Sequence, residues 1–112
     1  MTQMNAITLK QLRALAAVDV RGSVTAAADM LNLTVPAVST QLKQLEANMG
    51  ATLLIRASDG KGSITRQGLQ VLTTIAQIES ALDNCAKSID SINSGKSGLV
   101  TLGVVSTGKY FA

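Results

Sequence analysis

The segment TVPAVSTQLK, residues 34–43, places small hydroxyl side chains and one cation at a spacing that suits contact with a nucleic acid. Hydroxyl groups can hydrogen-bond to base edges, and a lysine can neutralise a phosphate. Apolar residues recur every three or four positions, which predicts a helix that ends at Gly50 and has an apolar face made of Val38, Leu42, Leu45 and Met49. The rest of its surface is polar and carries no acid before position 46, and its exposed residues include Val35, Pro36, Ser39, Thr40 and Lys43.

Capping residues and apolar spacing predict where this helix and two earlier ones lie. Thr34 is a suitable N-cap, and Pro36 fits the first turn because its missing N–H would have no intrahelical partner. Ser23 is a suitable cap for a helix over 24–31, whose packing face is Val24, Ala27, Ala28 and Leu31. Residues 8–20 predict a first helix, whose apolar face is Leu12, Leu15 and Ala16, with Leu9 as a candidate fourth member.

The corner between the second and third helices is short. Asn32 suits the left-handed residue that stops a helix, and Leu33 is expected to enter the core beneath the corner. Two helices joined this tightly must cross steeply, as in a helix-turn-helix. The N-terminus of the third helix would then favour phosphate through its free N–H groups and its dipole. An ordinary helical corner in a bundle is the alternative.

A basic hairpin is predicted directly after the third helix. Residues 52–65 contain two apolar-rich runs on either side of Asp59 and a glycine, which indicates two short strands and a loop. Arg56 and Lys61 make this hairpin basic, so it could act as a wing that touches the neighbouring groove of a duplex. Arg56 could instead pair with Glu46 or Asp59.

Residues 65–94 predict a long helix with a narrow apolar seam. The apolar positions are spaced 4, 3, 4, 3, 4 and 3, an a/d repeat formed by Val71, Ile75, Ile78, Leu82, Cys85, Ile89 and Ile92. Thirty residues would make a rod of roughly 45 Å, too long for the preceding domain to cover, so the seam is expected to pack against a second copy. In this position Cys85 is interpreted as a small core residue rather than a redox switch. Gly95 closes the helix, and residues 99–105 predict a buried strand whose sheet is absent.

Composition argues against several classes of protein. With one cysteine and no histidine, the chain cannot form an internal disulfide or the usual zinc sites, and it lacks the commonest general base. We therefore expect neither an enzyme nor a cofactor or metal site. The whole net charge of +3 lies in residues 1–70, which hold seven bases and four acids and so favour an anionic partner. Apolar runs are too short to span a membrane and the N-terminus lacks a secretory signal, so a cytoplasmic protein without a membrane partner is expected.

The run LKQLRALAAVDVRGSVTAAADMLNLTVPAVSTQLKQLEANMGATLLIR, followed by ITRQG, resembles the winged helix-turn-helix of LysR-type transcriptional regulators. The resemblance covers about residues 7–70 and is carried by Leu12, Leu15, Gly22, Ser23, Ala27, Ala28, Leu31, Pro36, Ala37, Val38, Ser39, Leu45, Glu46, Gly50, Leu53, Arg56, Thr65 and Gly68. It implies a mainly α fold with three parts: a DNA-binding domain over 7–65, a dimerisation helix over 66–94, and a hinge with the truncated start of an effector-binding domain over 95–112.

The resemblance also implies a function and a set of contacts. A chain of this kind would bind double-stranded promoter DNA as a homodimer, and a complete chain could form tetramers and take a small-molecule effector. Together with the surface pattern of the third helix, the resemblance gives the predicted DNA-binding residues Ser23, Thr34, Val35, Pro36, Ser39, Thr40, Lys43, Arg56, Lys61 and Arg66. The seam residues Val71, Ile75, Ile78, Leu82, Cys85, Ile89 and Ile92 would join the two copies.

Some features narrow the resemblance and others depart from it. VVSTGKYFA near the C-terminus is similar to regulators of Calvin-cycle carbon-fixation operons. Val35 stands where the family commonly has glutamine, so the usual preference for adenine is in doubt. Leu54-Ile55-Arg56 replaces the common Phe-x-Arg, a packing change that is not expected to alter function. The wing carries fewer arginines than in many relatives, and this predicts weaker electrostatic binding. Because the effector-binding domain is nearly absent, the chain is expected to be a fragment or a truncated gene product.

A second class of function stays open from the residues alone. The chain could be a coiled-coil adaptor that uses only residues 71–92 to bind another protein. A mobility shift with a palindrome-like promoter site separates this alternative from DNA binding.

Overall fold

The computed structural model describes residues 3–58 and 61–95. A short 3-10 helix at Met4–Ala6 precedes α1 (Leu9–Arg21), α2 (Val24–Leu31) and α3 (Val35–Met49), and an antiparallel hairpin of β1 (Leu54–Arg56) and β2 (Gly62–Ile64) leads into α4 (Arg66–Asn93). The chain divides into two units between Ala76 and Gln77. The mainly α fold and the predicted order of these elements are confirmed. The strand predicted at 99–105 lies outside the described residues.

Caps fix the helix ends close to where the sequence places them. The Ser23 hydroxyl accepts a hydrogen bond from the Ala26 N–H (3.1 Å), and the Thr34 hydroxyl accepts one from the Ala37 N–H (3.2 Å). Asn32 ends α2 in the left-handed conformation, with φ of 57°. These side chains and backbone conformations satisfy N–H and carbonyl groups that a helix leaves without partners at its ends.

The core forms where α1 packs on both α2 and α3. Its largest fully buried side chains are Leu15, Val18, Val38, Leu42, Leu45 and Leu53. Ala27 and Ala28 are also buried, as expected of small residues that let neighbouring helices approach closely. The predicted stripe on α3 is therefore confirmed at its first three positions, while Met49 is only partly buried.

The prediction of a buried position is wrong for two residues. Leu33 is 47% exposed, because the left-handed Asn32 turns the chain while the Leu33 N–H donates to the Ala28 carbonyl oxygen (2.9 Å). Its side chain lines a shallow groove of about 260 Å³ with Lys10, Arg13, Leu31, Ala37 and Gln41. Leu9 is 41% exposed, since it is the first residue of α1. Ala16, placed on the same face, is partly buried.

The hairpin is attached to the junction between α1 and α2. The Gly62 N–H donates to the Gly22 carbonyl oxygen (3.1 Å), and Ser23 forms an isolated β-bridge with Lys61. A Cβ atom on Gly62 would stand 2.8 Å from the Leu54 Cδ1 atom, so β2 lies as close as it does because position 62 has no side chain. Leu54 faces the core while Ile55 is 58% exposed, which is the alternation expected of a strand.

The start of α4 belongs to the first unit. The Thr65 hydroxyl accepts from the Gly68 N–H (3.0 Å) and donates to the Thr52 carbonyl oxygen (2.7 Å). Gly68, Val71 and Ile75 are buried. In the second unit the helix continues, with residues 79–90 exposed. The predicted domain boundaries at 65/66 and 94/95 stay predictions.

Candidate nucleic-acid interface

The predicted reading surface of α3 faces outward. Positions 36, 39, 40 and 43 follow the i, i+3, i+4, i+7 spacing that brings side chains onto one face of a helix. Pro36, Thr40 and Lys43 are exposed, and Ser39 is partly buried. Val35 is 41% exposed at the first turn. This surface therefore offers two hydroxyls and an ammonium group to a molecule that lies along α3.

Arg56 brings the hairpin to the same surface. Its guanidinium Nη1 donates a hydrogen bond to the Ser39 hydroxyl oxygen at 3.3 Å. The alternative pairing of Arg56 with Glu46 is not found in the described part of the chain. Instead, the Glu46 Oε2 atom accepts the backbone N–H groups of Leu53 (2.8 Å) and Leu54 (3.2 Å). The Arg56 guanidinium consequently adds a second positive charge beside the hydroxyls of α3.

The remaining predicted contact residues lie at or next to the ends of helices and strands. The hydroxyls of Ser23 and Thr34 serve as N-caps, so their acceptor role is explained by capping, while a contact with phosphate stays a prediction. Lys61 is exposed and sits next to the start of α2 through its bridge with Ser23. Arg66 is exposed in the first turn of α4.

The seventeen described residues of α4 in the second unit carry an apolar face that one chain leaves uncovered. Leu82, Ile89 and Ile92 are each between 45% and 49% exposed, and Cys85 is exposed as well. Val71 and Ile75, which were assigned to the same seam, are instead buried inside the first unit at 8% and 4% exposure. The surface left for a partner accordingly begins at Ile78, and its role in dimerisation stays a prediction.

Two further features of the described residues concern metal binding and membrane spanning. Within 3–58 and 61–95, no cluster of histidine, cysteine, aspartate and glutamate has the geometry to hold a metal ion. Over the same residues, no helix combines the length and the apolar character needed to cross a membrane.

Two polar residues hold elements of this domain in place and were not predicted to do so from the sequence. Glu46 was assigned to the family resemblance and named as an alternative partner of Arg56, yet its carboxylate holds the start of β1. Gln11 is 5% exposed, and its side chain both caps α1 with Thr8 and donates to the Ala6 carbonyl oxygen (3.2 Å). The T-x-x-Q spacing of a capping box could have identified Gln11. No local pattern identifies the target of Glu46, since its partners lie seven and eight residues further on.

Three helices followed by a two-stranded hairpin, with the third helix exposed beside that hairpin, define a winged helix-turn-helix protein. Residues 9–69 match the family model described as bacterial regulatory helix-turn-helix protein, lysR family. The chain therefore belongs to the LysR family of bacterial regulatory proteins, which confirms the resemblance found in its sequence.

Curated relatives refine this assignment. The HTH-type transcriptional regulator CbbR of Cereibacter sphaeroides is 45% identical over 113 residues, a match that covers 100% of this chain and 36% of the relative. The RuBisCO operon transcriptional regulator of Allochromatium vinosum is 36% identical over 107 residues, covering 95% of this chain and 35% of the relative. These relatives are transcriptional regulators rather than enzymes, and the predicted likeness to carbon-fixation regulators is confirmed. The chain spans about a third of the length of the curated relatives it matches.

Solved structures agree with the fold. The structure of a BenM_DBD/catB site 1 DNA complex superposes with a TM-score of 0.74 at 31% identity, covering 81% of this chain and 97% of the other. Full-length CbnR complexed with its target DNA gives a TM-score of 0.69 at 27% identity, covering 75% of this chain and 29% of the other. Both of these similar proteins were therefore solved with DNA.

Proposed function

We propose that this chain is the DNA-binding part of a transcriptional regulator that binds promoter DNA sequence-specifically as a homodimer. One observation carries the proposal: the exposed face of α3 presents Ser39, Thr40 and Lys43 beside the guanidinium of Arg56. Hydroxyls that can discriminate bases and cations that can hold phosphates are thereby combined on one outward face.

In this mechanism α3 enters the major groove. Ser39 and Thr40 hydrogen-bond to base edges, Val35 contacts a thymine methyl group, and Lys43 neutralises a phosphate. Pro36 lies in the exposed first turn of α3 and brings the helix backbone close to the duplex without offering an N–H. Because Val35 has no amide to pair with adenine, discrimination depends mainly on the hydroxyls.

The flanking elements fix the orientation of α3 on the duplex. Arg56 and Lys61 contact the adjacent groove or its phosphates, and Arg66 contacts the backbone from the start of α4. The N-termini of α2 and α3, capped by Ser23 and Thr34, direct further N–H groups towards phosphates. These contacts supply affinity that depends on salt but little on sequence.

Two copies pair through the apolar face of α4. Burying Ile78, Leu82 and Ile89 against the same residues of a second chain would remove their exposed apolar surface from water. The two DNA-binding domains of the dimer would then bind two half-sites, as dimeric helix-turn-helix proteins do. A complete chain would add a small-molecule effector site, and it could also form tetramers.

The relatives support a biological setting for the whole protein. Similarity to CbbR and to a RuBisCO operon regulator supports control of a carbon-fixation operon as the role of the whole protein. Such a regulator would act in the cytoplasm, without catalysing a reaction and without a cofactor in the DNA-binding part.

The test is a mobility shift with a promoter fragment from a carbon-fixation operon, compared with a shuffled duplex of equal length. The unmodified chain should prefer the promoter fragment, and Ser39→Ala should reduce that preference. If both duplexes bind equally weakly while the chain still dimerises, the coiled-coil adaptor becomes the better assignment.

A further inference from the structure

The carboxylate of Glu46 connects α3 to the hairpin. Its Oε2 atom accepts two consecutive backbone N–H groups, from Leu53 at 2.8 Å and from Leu54 at 3.2 Å. Leu53 and Leu54 are 1% and 7% exposed, so these N–H groups have little access to water. Hydrogen bonds to an ionised acceptor are roughly twice as strong as neutral ones. Glu46 is therefore the main polar attachment of β1 to α3.

A second attachment lies two helical turns away on the same flank of α3. Ser39 precedes Glu46 by seven residues, or about 10.5 Å along the axis. Side chains alternate along a strand, so Arg56 points to the same side of β1 as the inward-facing Leu54. From there the guanidinium reaches the Ser39 hydroxyl. The strand is consequently fixed to α3 at both of its ends.

The two attachments differ in strength. The Arg56–Ser39 bond is 3.3 Å long, exposed, and made to a neutral acceptor. It can be exchanged for a phosphate when DNA arrives. The Glu46 bonds are partly buried and hold backbone rather than a mobile side chain. They would persist in the complex and keep the strand in place while the arginine changes partner.

We propose that Glu46 is a positioning residue, which sets the place of Arg56 on the duplex by holding the start of β1 against α3. This inference rests on the proposed DNA binding and adds a residue that itself touches no DNA. Without the carboxylate, β1 would separate from α3 at its first residues. Arg56 would then meet the phosphates with a less restricted geometry, and affinity would fall only to the extent that Arg56 contributes to it.

A double-mutant cycle on the 112-residue chain tests this. We expect Glu46→Ala to weaken binding to the promoter duplex about tenfold when Arg56 is present, and less than about twofold in an Arg56→Ala background. Asn48→Ala is the matched control, because Asn48 ties the same end of α3 to the Ala6 carbonyl oxygen (3.0 Å) on another flank. Its effect should be equal in both backgrounds, as should that of any variant that only lowers stability.

Two further variants complete the experiment. Glu46→Gln should restore most of the affinity, since its amide oxygen can accept the same two N–H groups. If Glu46→Ala does not fold at the assay temperature, the cycle is run with Glu46→Asp, whose carboxylate is one methylene too short to keep both bonds.

The positioning role would be overturned if Glu46→Ala weakened binding by the same factor with and without Arg56, as is expected of Asn48→Ala. DNA binding itself would then remain intact. A fully folded unmodified chain that does not bind the promoter duplex would overturn the proposed function and this inference with it.

Discussion

Replacing Lys43 with alanine should change how binding depends on salt. Lys43 is exposed on α3, two helical turns from the start of the reading surface at Pro36. If Lys43 neutralises one phosphate, the alanine variant releases one counterion fewer on binding. The slope of log K against log salt concentration then becomes shallower by about 0.9. A dimer carries Lys43 twice, so the slope of the dimer should become shallower by about 1.8. Between 50 and 200 mM salt, the affinity ratio of unmodified to variant chain should then shrink by about tenfold.

The assay is fluorescence anisotropy with a labelled promoter duplex at four or more salt concentrations. Lys87→Ala is the charge-matched control, because it removes the same positive charge from the second unit. Lys87 pairs with Asp83 at 3.0 Å, and both side chains are more than 60% exposed. Such a pair contributes at most about 1 kcal/mol, so the control should fold normally and keep the slope of the unmodified chain. Equal slopes for Lys43→Ala and the unmodified chain would refute the placement of α3 on phosphate.

Three further predictions concern reading, packing and pairing. Ser39→Ala should lower discrimination between the promoter site and single-base variants by about fivefold, with affinity for random DNA nearly constant, and a uniform loss on all duplexes would contradict base reading. Gly68→Ala should lower the free energy of unfolding by about 1–3 kcal/mol in thermal or urea unfolding, since the new Cβ atom would overlap the Leu53 carbonyl oxygen and stand 2.7 Å from Ile64 Cγ2. The neighbouring exposed Gln67→Ala should have almost no effect, and stabilisation by Gly68→Ala would show that the contact is relaxed. Ile78→Asp should weaken self-association at least about tenfold in sedimentation, and a dimer that survives it would contradict the seam.

Helix ends were the most predictable part of the fold because they depend on local chemistry. The side chains of Ser23 and Thr34 accept hydrogen bonds from N–H groups three residues away. The left-handed conformation of Asn32 depends on the backbone of that residue alone. A reader of the sequence needs no knowledge of tertiary structure to find them. The exposed surface of α3 could be predicted for the same reason, since the residues of a helix that lie outside its apolar stripe face the solvent.

Contacts between elements were harder to anticipate. Leu33 is apolar and was expected in the core, yet its position depends on the direction in which the chain leaves Asn32. Val71 and Ile75 continue the spacing of the α4 seam without a break, and only the packing of α4 in the first unit separates them from Leu82. Glu46 could not be recognised as the attachment of β1, because its partners are backbone N–H groups with no signature in the sequence.

The proposed function requires that α3 and the hairpin beside it form the surface that touches DNA. Amide chemical shifts of the ¹⁵N-labelled chain, followed while a promoter duplex is added, test it most directly. We expect the largest changes at Val35, at residues 37–43 and at Arg56, with residues 79–90 nearly unchanged. Changes concentrated on residues 78–92, with α3 unaffected, would contradict it.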